Sequence, residues 1–561
     1  MFNQKISRLL IALLFLSLSS CAAEKNSGRR AVVATVHPIA TRAGIDAIRR
    51  GGNAVDAAVA AALMLGVVDS SNSGIGGGCF VVIRKADGTI AAIDGREIAP
   101  AKAHRDMYVR NGKYQPHLSK TGALAIGIPG SLAVYDHLMR DAGKLDLSVL
   151  LSDAANVAEN GFVIDAKLAD HIAITKEIAD FPPTASLLYN NGKPLQEGDL
   201  LLQADLAKTY RSIAADGIGH FYGGPFAEAV ESWMNANGGI VNANDFARYQ
   251  IKQRETVKTI YRGHTIIGFP PPSSGGVHVA QILNMIERFN LKQTHRLNPV
   301  QHHHIIAEAM KLAFADRAYW LGDPDFAKVP RGLIDSNYAR SLSLRIDPTR
   351  TIAVGQHGSP PRADEDIFGK HTTHIATADA EGNWVAITTT LNTRFGSKVV
   401  IPGTGVIMNN QMDDFAAQPG VPNAYGLIGA EANSIAPGKR PLSSMSPTIV
   451  LRDGQPVMTV GAAGGPTIIS QVVQIIVNHV DLGMTLPQAV AAARVHHQWR
   501  PDKLYVEPAL GETMIDRLKA MGHSRVDVRK LGRSQAILLR DDGTMIGVTD
   551  PRIEGLAAGI D

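Results

Sequence analysis

Thr372-Thr373-His374, in mid-chain, is where the residue types of this sequence first suggest chemistry. The pair of threonines ends a polar stretch containing Pro and Gly and begins a strand-like run. If the His371–Thr372 bond were cut, Thr372 would become an N-terminus carrying a hydroxyl nucleophile and a free α-amine. An α-amine titrates at about 7.7–8.0, so a fraction is neutral near pH 7 and can accept the hydroxyl proton. A nucleophile and a base on one residue suffice for amide chemistry without a histidine or a metal.

The neighbouring segments suggest how these residues would be held. Residues 354–371 include Gly355, Gly358, Pro360, Pro361, Asp364, Glu365 and Asp366, a loop composition. A domain linker and a processing loop both have this character; the position directly before Thr372 favours the second. Two strands are expected over 373–378 and 384–391, joined by Asp379-Ala380-Glu381-Gly382-Asn383. A turn centred on Glu381 sets Thr372 opposite Thr390. Directly opposed residues have Cβ atoms about 4.5–5.5 Å apart, close enough for a hydroxyl–hydroxyl hydrogen bond. A register slip or a bulge would undo that pairing. Elsewhere, helices are expected over 53–67, 148–159, 226–237 and 301–320, and strands over 79–84 and 89–93 around Ala86-Asp87-Gly88. No repeat of solenoid period is present.

Composition excludes several function classes. The chain has 561 residues, 45% hydrophobic and 19% charged, with 56 basic and 52 acidic side chains giving a net charge of +4. That is globular composition, and without a dense Lys/Arg block it argues against nucleic-acid binding. Lys5 and Arg8 precede an apolar run over 9–18 that is too short to span a bilayer and has the form of a secretion signal over 1–20. Leu18-Ser19-Ser20-Cys21 then resembles a bacterial lipobox, in which the cysteine becomes the lipidated first residue. An ordinary signal peptide that contains a cysteine has the same appearance. The expected location is the bacterial cell envelope, exported to the periplasm and anchored through Cys21. The other cysteine, Cys79, reads as a small buried hydrophobe.

The ordered motifs resemble one family. Thr372-Thr373-His374, Gly382-Asn383, Thr388-Thr389-Thr390-Leu391-Asn392 and Phe395-Gly396 look like the signature of the γ-glutamyltranspeptidases, or glutathione hydrolases, which are N-terminal nucleophile hydrolases. The likeness continues through Asn409-Asn410-Gln411-Met412-Asp413-Asp414-Phe415 and Pro441-Leu442-Ser443-Ser444-Met445-Ser446-Pro447-Thr448. It also reaches Gly51-Gly52-Asn53-Ala54-Val55-Asp56, Arg96-Glu97 and Leu321-Gly322-Asp323-Pro324.

The resemblance implies an α+β fold, a four-layer αββα sandwich. It also implies cleavage into a large subunit, 21–371, and a small catalytic subunit, 372–561, which together form one fold as a heterodimer. Thr372 would be the nucleophile and Thr390 the hydroxyl that orients it. Gly464 and Gly465, in Gly461-Ala462-Ala463-Gly464-Gly465-Pro466, resemble the family's oxyanion hole; a plain strand-to-helix turn would have the same sequence. Arg96 matches the carboxylate-binding arginine, with Ser443 and Ser444 adding hydroxyls, while Asp414, Asn392 and Gln411 would receive an ammonium. Such a clamp suits the free α-carboxylate and α-ammonium of a γ-glutamyl group. Residues 419–440 resemble a lid loop, and Tyr425 its tyrosine, which would exclude water.

The implied substrates are glutathione and other γ-glutamyl compounds, with amino acids or peptides as acceptors and no cofactor or metal. A glutaryl or cephalosporin acylase, or a poly-γ-glutamate depolymerase on the same fold, is the alternative. Four positions depart from the family pattern. Ala376 replaces a usual hydroxyl residue, Thr377 a usual apolar one, and Pro466 differs from the residues common there. Arg394 stands where smaller residues are also common, which leaves acceptor preference open. His302-His303-His304 and His496-His497 match no metal-binding pattern and read as structural or surface histidines.

Overall fold

The computed structural model describes residues 25–361 and 374–561. Two seven-stranded antiparallel sheets form its centre. In the first sheet the strand order is Lys252–Arg254, Ile90–Gly95, Gly78–Arg84, Trp384–Thr390, His374–Asp379, Ala31–Thr35 and Leu556–Ile560. In the second it is Ser27–Gly28, Met545–Thr549, Ser534–Leu539, Gln455–Ala462, Thr448–Arg452, His264–Gly268 and Val257–Tyr261. The sheets share an apolar interface that includes Val32, Phe80, Ala376, Trp384, Phe269, Ile449 and Ile537. Phe80 stacks on Phe269 across it, with ring centroids 4.2 Å apart.

Helices cover both outer faces. A cluster containing Ala54–Val68 and Leu147–Asn160 packs on the first sheet, and another containing Ser274–Ile286, Pro299–Trp320 and Thr467–Val480 packs on the second. The fold is therefore α+β in four layers, helix–sheet–sheet–helix. Among the described residues no helix is long and apolar enough to cross a membrane.

Local sequence accounts for the element that fixes the central hairpin. Helix Ala54–Val68 is Ala-rich and buried along all 15 residues. Asn53 caps it: its side chain accepts from the Val55 and Asp56 N–H groups, while Asp56 accepts from the Asn53 N–H. The Ala54 N–H donates to Asp379 at 2.8 Å, and the Thr377 hydroxyl donates to the Ala54 carbonyl at 2.7 Å. Thr377, out of pattern as a polar residue, thus has an acceptor for its buried hydroxyl, while Asp379 satisfies an N–H at the helix N-terminus. Ala376 belongs to the inter-sheet core, where a hydroxyl would have to find a partner between two sheets.

Helices expected over 148–159, 226–237 and 301–320 form as Leu147–Asn160, Pro225–Ala236 and Pro299–Trp320. The strand expected over 89–93 runs from Ile90 to Gly95.

Candidate functional site

The central hairpin has the register expected from its turn. His374 lies opposite Thr388 and Ala378 opposite Trp384, without a bulge. His371, Thr372 and Thr373 lie outside the described residues, as does Cys21. His374 is fully buried, and burial pulls its pKa down to about 3, so its ring is neutral at any working pH. A Cβ on Gly461 would lie 2.3 Å from that ring, so only glycine lets the second sheet approach the hairpin there.

The strand containing Gly461 leads into the turn 463–466 and then into helix Thr467–Val480. Gly464 has φ 130° and Gly465 φ 59°, both in the region that favours glycine. The turn is held from three sides. The Ala463 N–H donates to the Arg533 carbonyl at 3.1 Å, Gln471 donates to the Ala463 carbonyl at 2.9 Å, and the Thr467 hydroxyl donates to the Gly464 carbonyl at 2.8 Å. Among the described residues neither the Gly464 nor the Gly465 N–H has a protein acceptor. Thr390 ends its strand near this turn, and its Oγ accepts from the Asn392 N–H at 2.7 Å. Asn392 has φ 79°, and its carbonyl accepts from the Tyr425 hydroxyl.

Thr390, Asn392, Tyr425, Gly464 and Gly465 all line one open cleft of about 890 Å³. Tyr425 is close to the turn: a Cβ on Gly465 would sit 2.7 Å from its ring.

The remaining predicted residues gather in a buried network that does not line this cleft. Arg96 is fully buried. Its Nη2 donates to Asp414 at 2.7 Å, its Nη1 to Glu97 at 3.3 Å and its Nε to the Pro441 carbonyl at 3.3 Å. Gln411 also donates to Asp414, at 2.9 Å. The two networks meet through residues 419–440, where Asn423 donates to Asp414 at 3.5 Å and accepts from the Tyr425 N–H at 3.0 Å.

The clamp residues read from sequence are bonded among themselves and to their neighbours. Arg96 and Asp414 are bonded to each other, because two opposite charges withdrawn from water are costly unless paired. The Asn392 amide donates to the Asn410 carbonyl at 3.0 Å. The Ser444 hydroxyl meets Arg317 at 3.2 Å, and the Ser443 hydroxyl is buried without a hydrogen-bond partner among the described residues.

Sequence reasoning missed two charged groups here. Arg317 lies on helix Pro299–Trp320, and burial lowers its pKa to about 10, partly countered by Asp414. Glu97 is fully buried, and burial raises its carboxyl pKa to about 7 against the opposing pull of Arg96. Glu97 belongs to the Arg96-Glu97 motif but has no role read from it, and Arg317 belongs to no motif; only the tertiary contacts show what each one meets.

Cys79 is buried and its thiol pKa is pushed well up by burial, as suits a core residue. His304, read as structural or surface, comes together with Glu308 and His523, all buried, with potential ligand atoms within 4.8 Å of one another. Those atoms already have protein partners: His304 Nδ1 and His523 Nε2 are 2.8 Å apart, and Glu308 meets the Lys311 ammonium at 2.6 Å. The trio spans a helix and a distant loop, so sequence spacing could not show it.

The family model for γ-glutamyltranspeptidase matches residues 40–560. The chain belongs to the γ-glutamyltranspeptidase family. It is 40% identical to the glutathione hydrolase proenzyme of Escherichia coli (strain K12), over 95% of this chain and 92% of that protein. It is also 38% identical to the acylase ACY 1 proenzyme of Pseudomonas sp. (strain SE83), over 96% of this chain and 95% of that one. Among solved structures it resembles the cephalosporin acylase from Bacillus halodurans, with a TM-score of 0.86 at 27% identity, covering 95% of this chain and 96% of that one. The chain is thus similar both to glutathione hydrolases and to acylases.

Proposed function

We propose that this protein is a γ-glutamyl transferase and glutathione hydrolase that matures by cleavage at His371–Thr372 into subunits 21–371 and 372–561. In the mature enzyme Thr372 Oγ attacks the γ-carbonyl carbon of the substrate, and the Thr372 α-amine takes the hydroxyl proton. The register of His374 against Thr388 supports Thr390 as the hydroxyl that orients Thr372. The N–H groups of Gly464 and Gly465, unengaged among the described residues and beside Thr390 in the cleft, support an oxyanion hole. The amine leaves with the proton. Water or an acceptor amine then attacks the γ-glutamyl ester and releases Thr372.

The observation that carries the reading is the buried Arg96–Asp414 pair. A glutamyl head brings one carboxylate and one ammonium. Inserted between the two side chains, it gives Arg96 a carboxylate and Asp414 an ammonium, so no buried charge loses its partner. A glutaryl group, as in an acylase substrate, has no ammonium and would leave one buried charge unpaired, at a cost of roughly 3–5 kcal/mol. This argues for a glutamyl donor despite the likeness to a cephalosporin acylase. Tyr425 would act as the lid that limits water access. The leader over 1–20 supports export to the periplasm, and the lipobox-like Cys21 supports a lipid anchor.

Two measurements test the reading. Wild-type protein should give two bands on a denaturing gel and hydrolyse γ-glutamyl-p-nitroanilide far faster than glutaryl-p-nitroanilide. Thr372→Ala should remain one chain without turnover. A Thr372→Ala protein that still splits and releases glutamate would refute the assignment, and a wild type that prefers the glutaryl donor would favour the acylase.

A further inference from the structure

The cleft beside Gly464 and Gly465 is strongly one-signed. Its lining carries Lys167, Arg394, Arg529, Lys530, Arg533 and Arg552, against a single carboxylate, Glu554. Three of these cations have other work. Lys167 pairs with Asp69 at 2.8 Å, Arg552 pairs with Glu507 and Asp550, and Arg529 stacks 3.9 Å from the centre of the Tyr505 ring. Arg394 and Arg533 have no ion-pair or side-chain hydrogen-bond partner among the described residues.

Both residues adjoin the elements assigned to the reacting centre. The Arg533 carbonyl accepts from the Ala463 N–H, one residue before Gly464, and the Arg533 N–H donates to Gln471 at 2.8 Å, the same side chain that holds the turn. Arg394 lies two residues beyond Asn392, whose carbonyl holds Tyr425. Both line the same cleft as Thr390, Gly464 and Gly465.

The glutamyl head is assigned to the buried Arg96–Asp414 network, none of whose members lines this cleft. What the open cleft can receive is the other side of the scissile amide: the leaving group of the donor and, later, the acceptor amine.

We infer that Arg394 and Arg533 form a second anion subsite that binds a carboxylate on the leaving group or acceptor, selecting γ-glutamyl peptides with a free C-terminal carboxylate over uncharged amides. This rests on the glutamyl reading above. Guanidinium–carboxylate pairing gives the geometry, and a cleft of one sign walled by protein concentrates anions at low ionic strength.

The test compares γ-glutamylglycine with γ-glutamylglycinamide as donors to the mature two-subunit enzyme. The kcat/KM ratio of acid to amide should be roughly tenfold at low salt, shrink as salt shortens the Debye length to about 3 Å near 1 M, and fall close to one in Arg394→Gln/Arg533→Gln. A wild-type ratio near one, or a ratio unchanged in the double variant, would overturn the subsite while γ-glutamyl-p-nitroanilide turnover leaves the glutamyl reading intact. Absence of turnover on all three donors would overturn that reading and the subsite with it. Should the double variant fail to fold, Arg394→Gln alone and the salt series on wild type decide the matter.

Discussion

Replacing Gly465 with alanine tests the turn, the tyrosine above it and the oxyanion role together. Gly465 has φ 59°, where an L-residue costs roughly 1–2 kcal/mol. The new Cβ would lie 2.7 Å from Tyr425 Cδ1 and 2.9 Å from Cε1. These distances are too short to persist, so either the ring or the turn must move. The ring is tied by its hydroxyl to the Asn392 carbonyl, and giving up that bond costs about 1 kcal/mol. Strain of roughly 2–3 kcal/mol therefore falls on a turn whose N–H groups are assigned to the oxyanion, where losing one donor lowers kcat by roughly 100- to 1000-fold.

The expected outcome for processed Gly465→Ala is a kcat on γ-glutamyl-p-nitroanilide at least about 100-fold below wild type. KM should move little, because the glutamyl head is held elsewhere, by Arg96 and Asp414. Adding Tyr425→Ala should relieve the contact and restore part of kcat. Steady-state kinetics on protein checked by denaturing gel and thermal melt would decide. A folded, processed Gly465→Ala with kcat within about twofold of wild type would refute the reasoning.

Asp414→Asn leaves the buried Arg96 charge with only Glu97 beside it; urea unfolding should show a loss of roughly 3 kcal/mol, and kcat/KM for a γ-glutamyl donor should fall more than for a glutaryl one. Glu97 gives a pH signature. Burial raises its pKa from 4.5 to about 7, so the folded state binds this proton more tightly than the unfolded chain. Its stabilisation is full below pH 4.5 and is lost as pH rises to about 7. Glu97→Gln should therefore gain roughly 3 kcal/mol relative to wild type between pH 4.5 and 8 in urea melts, and an equal gap at both pH values would contradict the shift. Thr390→Val keeps the shape but removes the acceptor for the Asn392 N–H; kcat should drop roughly tenfold to a hundredfold with thermal stability changed by only about 1 kcal/mol, and unchanged kcat would remove Thr390 from the proposed mechanism.

Local patterns made the hairpin legible from the chain alone. Five turn residues between two β-prone runs leave one register in which both faces suit the core, and the observed pairing of His374 with Thr388 is that register. The helix expected over 53–67 was legible from its run of alanines, and the structure adds the Asn53–Asp56 capping box that starts it. Motif order also pointed to the γ-glutamyltranspeptidase family, and with it to the residues now found around the cleft and in the buried network.

What sequence could not decide was which charge meets which. Arg96 and Asp414 are separated by 318 positions and Arg317 and Ser444 by 127. Only the packing of two sheets and their helices brings them within bonding distance, and only burial determines that Arg96 and Asp414 must pair and that Glu97 titrates near neutrality. The free cations of the cleft belong to the same class of fact. Arg394 and Arg533 are ordinary arginines in sequence; their place in one cleft and their lack of acidic partners among the described residues are properties of the folded chain. Periodicity and capping act between neighbours and can be read in order, whereas electrostatic partnership depends on distance in space and on the exclusion of water, which tertiary structure alone sets.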